Sequence, residues 1–205
     1  MAPVTRSTAA RAAAADPKPP YPARPDIPGE LVEVDDLAAW IERSGGDLRV
    51  SHVSVRGDAA SGADFALLEL GESRVEGCSY VGCDFDRAMV SDVAFANCDF
   101  SNSTFSQANF TRCTFSSCKF TGADFVEAVF SRVEVRDSTF AYASLAKGKL
   151  EDASVTATDF SQADLAELRQ RRVRFDDVRF VGTNFFRASL DGVDLSSCQL
   201  ADIML

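Results

Sequence analysis

The sequence predicts an all-β solenoid, and two observations lead to this prediction. From Phe65 to Leu200 every fifth residue is Phe, Leu, Val or Tyr, with Gln170 as the exception. The residue two places before each of these is Ala, Ser, Cys, Gly, Thr or Val, except at Leu68 and Leu168. Because residues i−2 and i of a strand point to the same face, both positions of each pentad are predicted to point inward.

The five-residue period also excludes other regular structures. Alternation cannot continue across an odd repeat, so the chain must turn once per pentad and wind around an axis. A helix with 3.6 residues per turn cannot keep such a stripe on one face. Fixed self-similarity of this kind indicates a repeat architecture. The predicted core lattice includes Phe85, Phe100, Phe105, Phe110, Phe115, Phe120, Phe125, Phe130, Phe140, Phe160 and Phe180.

Two pentads carry a family resemblance. GADFV at 122–126 and QADLA at 162–166 resemble the pentapeptide-repeat motif, which is roughly A(D/N)LXX, and the resemblance extends from Ala63 to Leu205. It implies a right-handed quadrilateral β-helix with four pentads in each coil, so that residues twenty apart stack. We therefore expect about seven coils at the usual strand spacing, which gives a rod about 34 Å long.

Composition divides the chain into three parts. Residues 1–30 contain all seven prolines and are predicted to be a disordered leader rich in Pro and Ala. Residues 31–49 are predicted to be a capping segment with a short helix, since the ends of a solenoid need caps. Residues 50–205 are predicted to be the solenoid, with an irregular stretch at 57–63. The basic, Ser/Thr/Ala-rich start before Asp16 leaves a transit peptide as an alternative for the leader.

The capping helix has recognisable boundaries in the sequence. Asp35 or Asp36 is suited to the N-cap, and Gly45 or Gly46 to the stop.

The cysteines suggest core packing and a reducing compartment. All six stand at the small inward position of a pentad, so we interpret them as core residues rather than as metal ligands or disulfide partners. Unpaired buried thiols indicate a cytoplasmic protein. No apolar run is long enough to predict a membrane span. His52 is the only histidine, and the sequence offers no catalytic set, phosphate loop or metal-ligand spacing. We therefore expect no enzyme activity, no cofactor and no metal.

The charges give one candidate interaction surface with two parts. Acidic residues outnumber basic ones, 31 to 21, which disfavours direct nucleic-acid binding. The acidic part is a ladder that repeats every twenty residues at Asp64, Asp84, Asp124 and Asp164, interrupted by Thr104 and Ser144. The basic part is an arginine cluster near the C-terminus, represented by Arg169, Arg171 and Arg172, with Arg174 and Arg179 close by.

Two further features are candidates for recognition. Ile203 and Leu205 are predicted to point inward with Met204 between them, and this apolar coil end is a candidate homodimer interface about a two-fold axis. Gln170 interrupts the apolar lattice, which predicts either a local bulge or a recognition feature.

The sequence and the family resemblance suggest three functions. Most members of the family that the chain resembles are interaction scaffolds, which predicts a non-catalytic scaffold for a protein partner. One branch of that family imitates duplex DNA and binds bacterial type II topoisomerases such as gyrase, giving resistance to quinolones or toxins. The net acidity and the acidic ladder fit this alternative. Direct nucleic-acid binding through the arginine cluster is the third, and its signature would be salt-sensitive retention.

Overall fold

A constant twenty-residue offset joins each strand to its neighbours in the coils above and below. Val129 pairs with Asn109 on one side and with Lys149 on the other, and both pairings are parallel. The computed structural model describes residues 24–205, so residues 1–23 of the leader predicted for 1–30 lie outside the described residues. The described chain forms a parallel solenoid of about eight turns with one short helix. This confirms the predicted quadrilateral β-helix, with one coil more than expected.

The solenoid is built from many short strands. In chain order the elements are β1 (Val32–Val34), α1 (Leu37–Arg43), β2 (Arg49–Ser51), β3 (Val53–Arg56), β4 (Ala59–Ser61), β5 (Glu69–Glu76), β6 (Ser79–Val81), β7 (Met89–Ala96), β8 (Asn109–Thr111), β9 (Thr114–Ser116), β10 (Val129–Ser131), β11 (Glu134–Arg136), β12 (Lys149–Glu151), β13 (Ser154–Thr156), β14 (Arg169–Arg171), β15 (Arg174–Asp176), β16 (Arg179–Val181) and β17 (Gln199–Ala201).

These strands line four faces, which we number in chain order. The first face stacks β2, β5, β7, β8, β10, β12 and β14, and the second stacks β3, β5, β7, β9, β11, β13 and β15. The third face begins with β4 and β6, ends with β16 and β17, and is linked between them by single bridges. The fourth face consists of single bridges from Asp64–Asp84 to Asn184–Met204. The expected irregularity at 57–63 is wrong, because β4 pairs in the same parallel way as the other strands.

Left-handed backbone produces the corners. The residue two places after each central position has φ between 47° and 74° from His52 to Asp202, with Ser197 as the one exception. Even bulky residues such as Tyr142 adopt this conformation, which L-residues otherwise avoid. The corner is therefore imposed by the burial of the flanking inward residues rather than by local preference.

Stacked aromatic rings fill the interior. Along the third face the rings of Phe100, Phe120, Phe140 and Phe160 stack with centroids 4.6 to 5.3 Å apart. Rings from adjacent faces meet edge to face, as Phe115 and Phe120 do at 5.5 Å. Every phenylalanine of the predicted lattice is buried. Five of the six cysteines are buried and Cys198 is partly buried, and all six are free thiols.

The N-terminal end of the solenoid is covered by β1 and α1. β1 pairs with β3 and so extends the second face by one strand. Asp36 is the N-cap of α1, and its carboxylate accepts the Ala39 N–H at 2.7 Å. Leu37 and Ile41 on the helix are buried as part of the hydrophobic core.

The lattice defect at Gln170 is not a bulge. Gln170 lies in β14 and pairs with Leu150 at the normal offset. Its Nε2 donates to the Ser189 carbonyl oxygen at 2.5 Å, while its buried Oε1 has no partner in residues 24–205. The neighbouring Leu168 is accommodated by Gly148 in the previous coil, where an added Cβ would lie 3.4 Å from Leu168 Cδ1.

Candidate interaction surfaces

The carboxylates of the acidic ladder stabilise turns of the backbone. Asp64, Asp84, Asp124 and Asp164 each accept, through Oδ1, the N–H two residues further on, at 2.8 to 3.1 Å. This is an Asx turn, and it gives a local reason for Asp or Asn at this position of the repeat. Asn184 makes the same bond to the Phe186 N–H.

Asp64 and Asp84 are direct neighbours in the column, whereas Thr104 and Ser144 separate the later carboxylates and Asn184 follows Asp164. Thr104 Oγ1 donates to Asp84 at 3.1 Å, and Asn184 Nδ2 donates to Asp164 at 2.8 Å. Asp84, Asp124 and Asp164 are partly buried, and Asp64 at the N-terminal end is exposed. The structure thus places the ladder in one column on the fourth face, as the twenty-residue spacing predicts, but much of its hydrogen-bonding capacity is used within the rod.

The arginine cluster is divided between different faces. Arg171 pairs with Glu151 at 3.3 Å on the first face, and Arg172 holds the Asp152 carboxylate with both Nε and Nη2 at the first–second corner. Arg169 lies on the other side of Gln170 and belongs to the edge between the fourth and first faces. Two of the three candidate arginines are therefore neutralised by the coil below.

Side-chain pairs also stack along the first–second corner nearer the N-terminus. His52 pairs with Glu72 at 2.5 Å, and Arg112 holds Asp92 through two nitrogen atoms. The Arg112 guanidinium lowers the pKa of Asp92 below its ordinary value, and Arg172 does the same to the pKa of Asp152. Each pair joins two successive coils, so this corner is a structural seam.

An N-terminal segment, residues 24–31, runs against this corner. The Asp26 N–H donates to Asp92 Oδ1 at 3.0 Å, although the two residues are 66 positions apart. Asp92 is only 4% exposed. Six residues further along the chain, the Val32 N–H donates to the His52 carbonyl oxygen at 2.8 Å. The segment therefore lies along the rod and spans several coils.

A buried carboxylate joins the helix to the first coil. Asp58 Oδ2 accepts the Leu37 N–H at 3.0 Å and the Tyr80 hydroxyl at 2.6 Å. Burial raises the pKa of Tyr80, so its hydroxyl is a stable donor. Asp58 stands two places before Ala60, at the inward position of its pentad, and extending the five-residue count to this position would have indicated its burial.

The density of charge changes along the rod. Residues 24–99 carry 16 acidic and six basic side chains, residues 100–187 carry 11 acidic and 12 basic ones, and residues 188–205 add three aspartates. The C-terminal half is therefore close to neutral. The edge between the fourth and first faces contributes to this change with Lys147, Lys149 and Arg187, which the sequence analysis missed because it followed inward positions and the arginine run.

The C-terminal coil exposes part of its apolar surface. Leu200 is 44% exposed, whereas Phe180 below it is fully buried. Ile203 is partly buried, and Met204 and Leu205 are exposed. The predicted dimer end thus presents apolar side chains to solvent in this structure.

Neither a metal cluster nor a membrane-spanning helix occurs in the described residues. Between residues 24 and 205, no three His, Cys, Asp or Glu side chains are grouped so that they could hold a metal ion. No helix in the same range is long and apolar enough to cross a membrane.

Two of three comparisons with known proteins found matches. Residues 88–158 match the family model described as a pentapeptide repeat region. No curated protein matches the sequence significantly. Among solved structures, full-length QnrB1, a plasmid-mediated fluoroquinolone resistance protein, aligns with a TM-score of 0.50 and 20% identity over 84% of this chain and 88% of QnrB1. HetL, involved in heterocyst differentiation in the cyanobacterium Nostoc, aligns with a TM-score of 0.43 and 12% identity over 84% of this chain and 95% of HetL.

Coils of four pentads, parallel pairing at a twenty-residue offset and left-handed corners define the class of four-sided parallel β-solenoids. Within that class, residues 88–158 form a pentapeptide repeat region.

Proposed function

We propose that the protein is a non-catalytic scaffold that binds a protein partner through the outside of its solenoid. One observation supports this proposal: stacked phenylalanine rings fill the inward positions of the coils. The side chains available to a partner are therefore those of the outward columns. These columns present ordered side chains at a repeat of about 4.8 Å on a rigid support. The free buried thiols support a reducing, cytoplasmic location as part of the proposal.

Affinity capture followed by a binding measurement tests the scaffold. The full chain is immobilised, and proteins retained from the native host are identified, produced in pure form and titrated. We expect saturable binding by at least one of them with a dissociation constant that depends on surface side chains. A charge-removed variant, Asp84→Asn/Asp124→Asn/Asp164→Asn, tests the acidic ladder as the contact surface. If no retained protein binds saturably, the scaffold proposal is wrong.

A second candidate is the imitation of duplex DNA toward a type II topoisomerase. The observation in its favour is the acidity of residues 24–99, together with the carboxylate column on the fourth face. A DNA mimic needs a continuous negative stripe, whereas here the ladder carboxylates accept backbone hydrogen bonds in Asx turns and residues 100–187 are close to neutral. The scaffold is therefore the better supported of the two.

A supercoiling assay with DNA gyrase, with and without a fluoroquinolone, decides the second candidate. Mimicry predicts inhibition of supercoiling, or protection from the drug, that weakens in the Asp84→Asn/Asp124→Asn/Asp164→Asn variant. Neither inhibition nor protection at a several-fold molar excess of the protein would eliminate it.

We also propose that the protein self-associates through its C-terminal end. The exposed side chains of Leu200, Met204 and Leu205 would be buried if two coil ends met about a two-fold axis. Light scattering coupled to gel filtration should give a dimer for the wild type and a monomer for Leu200→Glu/Leu205→Glu. A wild-type monomer at micromolar concentration would contradict this interface.

A further inference from the structure

Large exposed side chains are concentrated on one edge of the rod. Leu67, Met89 and Phe186 are 50%, 57% and 48% exposed, and all three lie at or beside the corner between the fourth and first faces. We call the columns 67–187 and 69–189, together with Phe186, the fourth–first edge. Tyr142, on the next corner, is the other large exposed apolar or aromatic residue between residues 50 and 199. The first–second corner instead carries stacked ion pairs.

The same edge carries cations that have no carboxylate partner. The side chains of Lys147, Lys149, Arg169 and Arg187 are exposed. Among residues 24–205, none of these four forms an ion pair within 4.0 Å, in contrast to Arg171 and Arg172 on the adjoining surface. Arg187 stacks on the Phe186 ring at 4.8 Å, which leaves its charge at the surface. Arg87 lies further along the same columns, nearer the N-terminus.

Three glutamates share the edge and temper its charge. Glu127 accepts a hydrogen bond from Gln107 Nε2 at 3.1 Å, which occupies one of its oxygen atoms. Glu69 and Glu167 are exposed. The C-terminal part of the edge, from Glu127 to Ser189, still carries four cations against two carboxylates in a chain whose net charge is −10. A surface of this sign on an acidic protein is suited to a partner of opposite charge.

We propose that the fourth–first edge docks an acidic, partly apolar segment of a protein partner. The apolar side chains at Leu67, Met89 and Phe186 supply area that becomes dry on binding, and the unpaired cations fix the orientation of the segment and favour carboxylates. Leu67 and Arg187 are six coils apart, or about 29 Å. A segment of about 20 residues in helical form has the same length. The inference rests on the scaffold function and names its surface and the chemistry of its partner.

Two other occupants are less well matched to the edge. Residues 1–23 carry three basic residues and one acidic residue, so their charge does not complement it. A second copy of the chain could offer its acidic N-terminal coils, and this alternative predicts self-association that depends on Lys147 and Lys149. Light scattering of wild type and of Lys147→Glu/Lys149→Glu/Arg169→Glu decides between the two occupants. If the wild type is an oligomer and the variant is not, the edge binds a second copy and the proposed acidic partner is wrong.

The four lysines of the chain allow a direct test with an internal control. Reductive ¹³C-methylation labels Lys18, Lys119, Lys147 and Lys149 and keeps their charge. The probe is an amphipathic peptide of Glu and Leu, about 20 residues long, and the control peptide has Lys in place of Glu. On titration with the acidic probe we expect the methyl signals of Lys147 and Lys149 to shift, while Lys119, which pairs with Asp99 on the third face, stays in place. Equal shifts at Lys119, or no shift at Lys147 and Lys149, would overturn the proposal.

Matched charge reversals separate this inference from the scaffold proposal itself. Lys147→Glu/Lys149→Glu/Arg169→Glu should weaken binding of the probe, and of the captured partner, by about tenfold or more. Arg74→Glu/Arg136→Glu/Arg179→Glu makes the same change in charge at exposed sites on the second and third faces and should change affinity by about twofold or less. If the captured partner binds the first variant as tightly as wild type, the fourth–first edge is not the docking surface, while the scaffold proposal is retained. If no partner is captured and the probe does not bind, both proposals fail.

Discussion

At the scale of single residues, the phenylalanine lattice provides most of the cohesion of the rod. Phe120 stacks between Phe100 and Phe140 at 5.3 and 4.6 Å and meets Phe115 and Phe125 edge to face. Its replacement would leave a cavity that rigid coils on both sides cannot close.

Phe120→Ala is therefore expected to lower the free energy of unfolding by about 3–5 kcal/mol. Chemical denaturation measures this loss. The matched control is Phe186→Ala, since Phe186 is off the lattice and 48% exposed, and it should cost less than about 1 kcal/mol. An unchanged stability in Phe120→Ala would show that the ring does not point into the core.

The pair of Gly148 and Leu168 allows a second prediction at this scale. Gly148→Ala should cost about 1–3 kcal/mol, because the added Cβ would lie 2.9 Å from the Leu145 carbonyl oxygen and 3.4 Å from Leu168 Cδ1. Leu168→Ala should cost about 2–5 kcal/mol through the cavity it leaves. The double variant places alanine at both positions, as at Ala108 and Ala128, and should cost less than the sum. Strict additivity in denaturant unfolding would contradict the packing of these two residues.

At the scale of elements, the buried carboxylate of Asp58 links the start of α1 to the solenoid. Asp58→Ala would leave the Tyr80 hydroxyl and the Leu37 N–H without their acceptor, at a cost of about 3 kcal/mol. Asp36→Ala removes only the N-cap and should cost about 1 kcal/mol. Amide hydrogen exchange should quicken throughout α1 and β1 in Asp58→Ala. If exchange there is no faster than in Asp36→Ala, Asp58 does not anchor the helix.

Asp92, which accepts the Asp26 N–H of the N-terminal segment, is predicted to add a pH-dependent contribution to stability. Because Arg112 lowers the pKa of Asp92 in the folded protein, the stabilisation is present above the unfolded pKa of about 3.9 and is lost as the pH falls through the folded value. Asp92→Asn should thus be less stable than wild type at pH 7, and the difference in melting temperature should shrink as the pH falls below about 3.9. A difference that stays constant with pH would contradict this. The exposed Asp177→Asn is the control.

At the scale of the whole molecule, the five-residue period determines the architecture, because each inward pair forces a corner and each coil repeats the previous one. The period could not reveal how outward side chains combine between coils. Asp26 meets Asp92 only because the N-terminal segment folds back along the rod, and Arg172 is neutralised only because Asp152 lies one coil below. Comparing residues twenty positions apart would have found the Arg172–Asp152 pair but not the Asp26–Asp92 contact. The twenty-residue spacing showed the ladder carboxylates only as surface charge, because it carries no information on their hydrogen bonds to the backbone two residues further on.

The central claim is that the protein acts by binding on the outside of a solid rod. Isothermal titration of the captured, purified partner into the full chain tests it most directly, with Phe130→Leu as a core variant and the Lys147→Glu/Lys149→Glu/Arg169→Glu variant as a surface variant. Phe130 is buried and replaced by a smaller apolar residue, so we predict lower stability with unchanged affinity. The surface variant should keep wild-type stability and lose about tenfold or more in affinity. If Phe130→Leu lowers the affinity and the surface variant does not, in proteins that remain folded, binding on the outside of the rod is contradicted.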